Sequence, residues 1–266
     1  MAKIIIPVGF DLPTALEAAE LVMQAYEQFA AFKAGRTWVL QGDYTNLESF
    51  AGKAGGLFTE FDRPEPFGFV AQNNRSKNVF VTFRGTVTPE DWLSNITIDQ
   101  TTHPWGPVEA GFAQLYAQCS AAVLDAVQRA GAPKVVATGH SLGGALATLG
   151  AADLAIKQVA VQLYNFASPR TGSPSFADTF NQRIATAWRT VNTEDLVTTV
   201  PLSTATMGSA TPPHGLLGVL IGMVRKLDFE HVGSAVSFTA FNGSIVANHQ
   251  MPTYLTALSA AQAAAA

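Results

Sequence analysis

The sequence predicts an α/β domain with a mostly parallel central sheet flanked by helices, and three observations support this fold class. β-branched runs alternate with longer segments of helical periodicity, which is the pattern of parallel strands joined by crossover helices. Apolar residues make up 48% of the 266 residues, so a large core can be buried. We find no domain linker, internal repeat or long low-complexity segment, and we therefore expect one domain over residues 1–266.

The first third of the chain is predicted to contain one long helix and a β-hairpin. Residues 14–32 carry apolar side chains at helical spacing, with Pro13 in the first turn. Glycine and proline interrupt the pattern over residues 35–66, which predicts surface loops and turns there. Residues 68–72 and 79–83 are typical of two strands, and the polar segment between them predicts a hairpin with a six-residue loop.

A helix-start signal follows the second strand of this hairpin. Thr88 can act as the N-cap, Pro89 as the first helical residue and Asp91 as the capping-box partner. The helix predicted from these signals is short, and three apolar side chains share one of its faces. These side chains are Trp92, Leu93 and Ile96.

The rest of the chain continues the alternation of strands and helices. Residues 112–130 show a helical stripe that Gly131 ends. A strand over residues 135–138 leads through a tight turn into a helix that reaches about residue 156. The later predicted elements are a strand over 158–165, a helix over 176–184 and strands over 187–191, 232–238 and 244–247.

The tight turn has the sequence Gly139-His140-Ser141-Leu142-Gly143, which matches the pattern Gly-x-Ser-x-Gly. Strand, turn and helix in this order form the context of a nucleophile elbow. The two glycines leave room for the sharp turn, and the helix N-terminus points N–H groups at an oxyanion formed beside the serine. Ser141 is therefore the predicted nucleophile.

A serine nucleophile needs a histidine base and a carboxylate, and in this elbow context both follow the serine along the chain. His103 and His140 precede Ser141, so this order disfavours them. Three later histidines remain: His214, His231 and His249. His214 lies in a turn-like stretch, and His231 can serve as a structural hydrogen-bonding residue. We favour His249, which follows the last predicted strand in a loop, with His231 second.

The carboxylate is predicted in the same way, as a residue in a loop that follows a strand. Asp195 comes after the strand over residues 187–191 and is the favoured acid. Glu194 and Asp178 are its rivals, although Asp178 lies in a helical pattern and is more typical of a solvated helix face.

The oxyanion hole needs two preorganised hydrogen-bond donors. The elbow supplies the Leu142 N–H, and the second donor is expected in the loop after an earlier strand. Arg84, Gly85 and Thr86 occupy such a loop, so the N–H and the hydroxyl of Thr86 are candidates. The alternative is that these three residues form an ordinary turn at the end of a strand.

Five segments of this chain resemble the class 3 lipases, the fungal-type triacylglycerol lipases of the α/β-hydrolase superfamily. The resemblance extends from about residue 68 to residue 255, and the elbow and the Ser-Pro-Arg segment are its most specific parts. The segments are Phe83-Arg84-Gly85-Thr86, the extended elbow over 139–147, Phe166-Ala167-Ser168-Pro169-Arg170-Thr171-Gly172, Asn192-Thr193-Glu194-Asp195-Leu196-Val197 and Asn248-His249-Gln250-Met251-Pro252-Thr253-Tyr254.

The resemblance implies a Ser141–His249–Asp195 triad, with the N–H groups of Thr86 and Leu142 as the oxyanion hole. It also implies an α/β-hydrolase fold, with a lid over about residues 87–97. In that lid, three apolar residues would cover the serine in water and meet lipid when the lid opens. They are Trp92, Leu93 and Ile96.

The chain also departs from the family pattern at two places. Glu109 stands where the family often has a histidine, and residues 202–228 form an apolar insertion. The insertion is interpreted either as a buried helix or packed loop, or as an acyl-chain wall or second lipid-facing element. His231 resembles a family histidine that has a structural role.

Composition excludes several other classes of function. The net charge is −4 and no basic patch is visible, which argues against a nucleic-acid partner. The longest apolar run, residues 215–224, is too short to span a bilayer. Cys119 is the one cysteine, and no metal-ligand spacing such as His-Glu-x-x-His occurs, so we expect no internal disulfide, metal or other cofactor. The N-terminus lacks a signal-peptide pattern, which makes the cytoplasm the default, with secretion left open.

These observations together predict a serine carboxylic-ester hydrolase that cleaves lipid esters such as triacylglycerols at a lipid–water interface. The same triad would also serve a short-chain esterase, a phospholipase or an acyltransferase. A more remote alternative is a non-catalytic binding protein on a lipase scaffold, because fold alone does not fix function. The sequence leaves the oligomeric state open.

Overall fold

The computed structural model describes residues 4–53, 63–86, 99–201 and 228–265. In chain order its first elements are α1 (Leu12–Lys33), β1 (Tyr44–Gly52), β2 (Glu65–Asn73), β3 (Val79–Phe83), β4 (Gln100–Thr101), β5 (Val108–Glu109), α2 (Ala110–Ala117) and α3 (Ser120–Ala130). The elements that follow are β6 (Val135–His140), α4 (Leu142–Ile156), β7 (Val161–Phe166), α5 (Pro174–Arg183), β8 (Ala187–Asn192), a 3₁₀ turn (Leu196–Thr199), β9 (Ser234–Phe238), α6 (Ile245–His249) and α7 (Met251–Ala265).

The described residues form a central sheet of seven strands in the order β1-β2-β3-β6-β7-β8-β9. Strands β3, β6, β7, β8 and β9 run parallel to one another, whereas β2 runs antiparallel to both β1 and β3. The sheet is therefore mostly parallel, as predicted. Because β6 lies in the middle of it, the turn that follows β6 opens at the centre of the carboxyl edge.

Both faces of the sheet are buried at its central strands, whose side chains alternate between two apolar clusters. On β3, Val79 and Val81 belong to the cluster that also contains residues of α2 to α5, whereas Phe80 belongs to the cluster with α1 and α7. On β6, Val135 faces the first cluster and Val136 the second. This period of two is what a sheet covered by helices on both faces requires.

Helix α4, which follows the turn at the end of β6, is buried around almost its whole circumference. Its composition explains this, because small and apolar residues occupy every face and leave no polar stripe for solvent. The described helices include none that is both long and apolar enough to cross a membrane.

Three predicted elements differ from the structure. The predicted loop over residues 35–66 was wrong in part, because this segment contains strand β1, which pairs with β2 in an irregular register. The residues of β1 are partly exposed and show no clear alternation of polar and apolar side chains, so the sequence did not indicate a strand. The predicted strand over residues 244–247 was also wrong, since Ser244 caps helix α6 by accepting a hydrogen bond from the Ala247 N–H at 3.1 Å. Two β-branched residues in so short a helix are easily mistaken for a strand.

The helix predicted over residues 112–130 is two helices, α2 and α3, separated at Gln118 and Cys119. The Gln118 side chain pairs with the backbone of Lys53, accepting from its N–H at 2.7 Å and donating to its carbonyl at 2.6 Å. This contact to the end of β1 is tertiary, so the local sequence could not show it. Gly131 ends α3 with a left-handed backbone, φ +55°, as predicted.

Some of the predicted features lie outside the described residues. These are the lid over residues 87–97 with Trp92, Leu93 and Ile96, nearly all of the insertion over residues 202–228, and His214.

Candidate active site

Ser141 lies in the turn between β6 and α4 with φ +58° and ψ −131°, a backbone conformation that residues other than glycine seldom adopt. The backbone on both sides holds it there. The Ser141 N–H donates to the Phe166 carbonyl at 3.0 Å, and the Gly144 N–H donates to the Ser141 carbonyl at 2.8 Å. The predicted strand, tight turn and helix are therefore present, with the serine at the sharpest point of the turn.

The two glycines of the motif are required by space rather than by backbone angle. A Cβ atom on Gly139 would lie 2.1 Å from the Gly143 carbonyl oxygen, and one on Gly143 would lie 2.5 Å from the Arg84 carbonyl oxygen. Both distances are far below van der Waals contact. The turn can close tightly, and Arg84 can lie against it, only because both side chains are absent.

Asp195 and His249, 54 residues apart in sequence, form a buried pair in the structure. The His249 Nδ1 lies 2.8 Å from Asp195 Oδ2, and the same oxygen accepts a hydrogen bond from the Tyr254 hydroxyl at 2.6 Å. The Val197 N–H donates to the other carboxylate oxygen at 3.0 Å. Because an ionised carboxylate only accepts, Nδ1 carries the proton, and Nε2 of a neutral His249 is left as the acceptor.

The loops that carry the acid and the base are tied together by asparagine side chains. Asn192, at the end of β8, donates to the Asn248 carbonyl at 3.0 Å. Asn248 in turn donates to the Glu194 carbonyl at 3.0 Å. These bonds join two residues that precede Asp195 to the residue that precedes His249, so the pair is fixed by its backbone as well as by its side chains.

His140 connects the elbow to the base. Its Nε2 lies 2.7 Å from the His249 carbonyl oxygen, and the two rings lie 4.7 Å apart at their centroids. Burial holds the pKa of His140 well below its ordinary value, helped by the neighbouring His249, so the ring is neutral. A carbonyl can only accept, so Nε2–H is the donor, and Nδ1 accepts from the Tyr26 hydroxyl at 2.7 Å.

The remaining link of the predicted triad joins Ser141 to His249. Ser141 Oγ and His249 Nε2 are both buried, and neither has a hydrogen-bond partner among the described residues. The Ser–His hydrogen bond is therefore not formed in this structure. Catalytic hydrogen bonds of this kind are often long or misaligned before substrate binds.

A cavity of about 290 Å³ opens beside His249 and His140, the residue that precedes Ser141. His140, His249 and Thr86 line it together with apolar side chains. The apolar lining consists of Met23, Val246, Met251 and Pro252. It has the character of a small, mostly apolar substrate pocket with a few polar groups.

Thr86, the predicted second oxyanion donor, lies at this cavity, and its buried Oγ1 has no hydrogen-bond partner among the described residues. The preceding residue touches the elbow, since a Cβ on Gly85 would lie 2.8 Å from Ser141 Cβ. Leu142, the other predicted donor, is buried as the first residue of α4. The structure thus brings the predicted oxyanion residues to the same end of the sheet as Ser141.

The rival residues lie elsewhere or make other contacts. Glu194 and Asp178 are exposed. The His231 Nε2 bonds to the Thr198 carbonyl oxygen at 2.8 Å, and burial together with nearby arginines lowers the pKa of His231 to about 3. His103 lies near Asp153, with 3.6 Å between its Nε2 and the carboxylate.

Sequence reasoning missed three residues that support this site: Tyr254, Tyr26 and Arg84. Tyr254 belongs to a segment of the family resemblance, but its spacing from Asp195 gives no sign of contact. Tyr26 lies within the helix predicted over residues 14–32, and helical spacing cannot show that its hydroxyl reaches His140. Arg84 was noted only as part of the oxyanion motif.

A strained serine between strand and helix, together with a buried Asp–His pair at the carboxyl edge of a mostly parallel sheet, defines an α/β-hydrolase. Comparison with known proteins gives the family. The family model described as Lipase (class 3) matches residues 80–205, and the chain belongs to the class 3 lipase family.

Two relatives illustrate the similarity. The secreted mono- and diacylglycerol lipase 1 of Fusarium solani is 33% identical over 140 residues, which cover 50% of this chain and 42% of that protein. The phospholipase A1 EG1 of Oryza sativa subsp. indica is 30% identical over 217 residues, covering 68% of this chain and 48% of its own length. The chain therefore spans less than half the length of each of these relatives.

Solved structures show the fold. The MDLA protein of Penicillium cyclopium aligns with a TM-score of 0.65 and 22% identity, covering 90% of this chain and 84% of its own. A propeptide complex of the Rhizomucor miehei lipase aligns with a TM-score of 0.62 and 23% identity, covering 89% and 70%.

Proposed function

We propose that this chain is a serine carboxylic-ester hydrolase of lipid esters, with Ser141 as nucleophile, His249 as base and Asp195 as the orienting acid. The observation that carries this proposal is the buried 2.8 Å contact between His249 Nδ1 and Asp195 Oδ2, made beside a serine held in an elbow. Family membership supports the same reaction class, since the matching model is that of class 3 lipases.

In the first half of the reaction, the Ser141 hydroxyl attacks the ester carbonyl and passes its proton to His249 Nε2. Asp195 stabilises the imidazolium that forms, and it remains ionised. The Tyr254 hydroxyl and the Val197 N–H also donate to Asp195, at 2.6 and 3.0 Å, so its carboxylate is held with both oxygens occupied.

The oxyanion of the tetrahedral intermediate is stabilised by the N–H groups of Thr86 and Leu142, with the unpartnered Thr86 hydroxyl as a further donor. His249 then protonates the departing alcohol. Water activated by the same imidazole hydrolyses the acyl-enzyme on Ser141 and restores the free serine. The reaction requires no metal or other cofactor.

The substrate class follows from the cavity. Its lining is mostly apolar, and among the described residues its titratable members, Tyr26 and the two histidines, include no carboxylate and no lysine or arginine. An acyl chain fits such a surface better than a charged acyl group does. Lipid esters are therefore the proposed substrates, presented to the chain at a lipid–water interface.

A phospholipase A1 is the second candidate. Relatives at 30% and 32% identity, from Oryza sativa subsp. indica and Arabidopsis thaliana, are named phospholipases A1. Both activities use one triad and differ in the group that leaves. Release of fatty acid from an emulsified triacylglycerol and from phosphatidylcholine vesicles, compared at equal lipid surface, distinguishes the two candidates.

The test of the triad uses the parent chain and Ser141→Ala. The parent should hydrolyse nitrophenyl esters and label with a fluorophosphonate probe at Ser141. Ser141→Ala should lose both the labelling and activity by ~10⁴-fold or more, because the nucleophile acts as a unit with its base. Retention of ester hydrolysis within tenfold of the parent by purified Ser141→Ala would rule out this mechanism.

A further inference from the structure

Arg84 precedes the proposed oxyanion residue by two positions, and its side chain is only 1% exposed. Its three nitrogens donate to three different acceptors. Nε donates to the Pro66 carbonyl at 2.6 Å, Nη1 to the Gly85 carbonyl at 2.7 Å, and Nη2 to a Glu65 carboxylate oxygen at 2.8 Å. The guanidinium therefore links the start of β2 to the loop at the end of β3.

Two aromatic rings also pack against the guanidinium of Arg84. Its central carbon lies 3.8 Å from the centroid of Phe29, on α1, and 4.4 Å from that of Phe67, on β2. With Glu65 also 1% exposed, the guanidinium and its carboxylate partner are both enclosed. A planar cation with donors in a fixed fork can fill this site, whereas a lysine ammonium can satisfy only part of it.

One of these bonds acts on the oxyanion hole. The Gly85 carbonyl and the Thr86 N–H belong to the same planar trans peptide, so they point in opposite directions. A donor fixed on the Gly85 oxygen therefore fixes the direction of the Thr86 N–H. The peptide on the other side of Gly85 is also held, because the Gly85 N–H donates to the Tyr26 hydroxyl at 3.0 Å.

The loop packs tightly against the elbow. A Cβ on Gly85 would lie 2.8 Å from the His140 carbonyl oxygen and 2.6 Å from the Tyr26 hydroxyl. One on Gly143 would lie 2.5 Å from the Arg84 carbonyl oxygen. The peptide that carries the Thr86 N–H is thus clamped from three directions, at contact distance from the serine turn.

We propose that Arg84 is a positioning residue for the oxyanion hole, which orients the Thr86 N–H through the Gly85 carbonyl, with Tyr26 as the second half of the clamp. This proposal rests on the proposed ester hydrolase function. Stability alone is a weak reason for the buried Arg84–Glu65 pair, because desolvation offsets much of the attraction between buried charges. A preorganised donor is a stronger reason, because such a donor does not reorganise during the reaction.

The first test compares Arg84→Lys with Arg189→Lys in the full chain. Arg189 is the matched control, a partly buried arginine that donates to the Val232 carbonyl at 2.8 Å away from the proposed oxyanion loop. On nitrophenyl butyrate, Arg84→Lys should lower kcat by ~10–100-fold through misplacement of one donor, with KM within about twofold. The inhibition constant of butylboronic acid, which forms a tetrahedral adduct on the serine, should rise by a similar factor. Arg189→Lys should keep kcat within about twofold.

The second test is Tyr26→Phe, with Tyr44→Phe as control. It tests the positioning of the Thr86 N–H even if Arg84→Lys does not fold. Tyr44→Phe removes a hydrogen bond from the Tyr44 hydroxyl to Glu17 at 2.8 Å, which is similar in length to the bond between Tyr26 and His140 and lies away from the loop. Tyr26→Phe should lower kcat by ~10-fold and leave the pKa of the pH–rate profile at the parent value, because the donor rather than the base is displaced.

Three results overturn the positioning role: a folded Arg84→Lys with parental kcat, an equal loss in Arg189→Lys, or an unchanged kcat in Tyr26→Phe. A shifted kinetic pKa in Tyr26→Phe also overturns it for Tyr26, since the effect would then pass through His140 to the base. These results are distinct from failure of the proposed function, in which the parent chain itself is inactive and is not labelled at Ser141.

Discussion

At the scale of single residues, Ser141 combines the proposed chemistry with backbone strain. Its φ of +58° with ψ of −131° places an L side chain in a region that costs about 1–3 kcal/mol. The surrounding hydrogen bonds to Phe166 and Gly144 hold it in that conformation. The strain is the structural requirement for presenting the hydroxyl at the end of the sheet, and it should be measurable apart from catalysis.

The measurement compares Ser141→Gly with Ser141→Ala in urea unfolding. Glycine adopts this conformation without the Cβ clash, so Ser141→Gly should exceed Ser141→Ala in free energy of unfolding by ~1 kcal/mol. At an unstrained position the order is reversed, because glycine gains more conformational entropy on unfolding. Both variants lack the nucleophile, so any difference between them is structural. A more stable Ser141→Ala would contradict the strain.

Tyr254 is a second residue whose role can be measured. It is fully buried, and burial together with the Asp195 charge raises its pKa well above 10.0, so the hydroxyl keeps its proton. Tyr254→Phe removes the 2.6 Å bond to Asp195 and leaves the Asn192 N–H without its 3.2 Å acceptor. We expect a loss of ~1.5–3 kcal/mol in unfolding free energy and a several-fold lower kcat. Tyr44→Phe is the control, and an equal effect of both variants would contradict a role at Asp195.

At the scale of elements, α4 shows how one helix meets both structural and functional constraints. Gly144, in its first turn, packs on Ser168, so an added Cβ would lie 2.7 Å from Ser168 Cβ. Gly150, in the middle, has room, with the nearest atom 3.5 Å away in the Tyr116 ring. The first glycine permits the helix to approach β7 closely, and the second only lowers helix propensity.

Alanine substitution should therefore have opposite effects at the two positions. Gly150→Ala should raise the free energy of unfolding by ~0.5–1 kcal/mol through helix propensity. Gly144→Ala should lower the free energy of unfolding by ~1–3 kcal/mol through overpacking. This variant should also lower kcat, because the Gly144 N–H donates a hydrogen bond to the Ser141 carbonyl. Thermal and urea unfolding measure both. Loss of stability in both variants would mean that there is no room for a methyl group between Gly150 and the side chains packed against it.

The lid over residues 87–97 stays a prediction at this scale. If its apolar face covers the serine in water, the rate on a short-chain triacylglycerol should rise steeply once the substrate passes its solubility limit. The control is a water-soluble nitrophenyl ester, whose rate should saturate smoothly. Smooth saturation on both substrates would contradict a lid that opens at the interface.

The elements that the sequence predicted best are those whose signals are local. The β-branched run before Gly139, the apolar stripe of α1 and the Gly131 stop each depend on neighbouring residues. Strand β1 and the break between α2 and α3 depend instead on pairing with β2 and on the contact of Gln118 with Lys53. Arg84 and Tyr26 support the site from elements distant in sequence, and periodicity carries no information about such contacts.

At the scale of the whole molecule, burial of neutral histidines links folding to pH. Burial, with nearby Arg189 and Arg170, lowers the pKa of His231 to about 3 in the folded chain. An unfolded histidine has a pKa of ~6.5. Between these values the unfolded chain binds a proton that the folded chain does not, so stability is full above pH ~6.5 and falls as the pH drops toward 3. The lowered pKa of His140 acts with the same sign.

The size of this effect follows from the proton count. A single histidine that is charged only in the unfolded chain gives ~1.4 kcal/mol of stability per pH unit. His231→Gln cannot take up that proton, so its unfolding free energy should change with pH between 5 and 4 less steeply than that of the parent, by about one proton. The measurement is urea unfolding across this range. An identical slope in both proteins would contradict the lowered pKa of His231 in the folded chain.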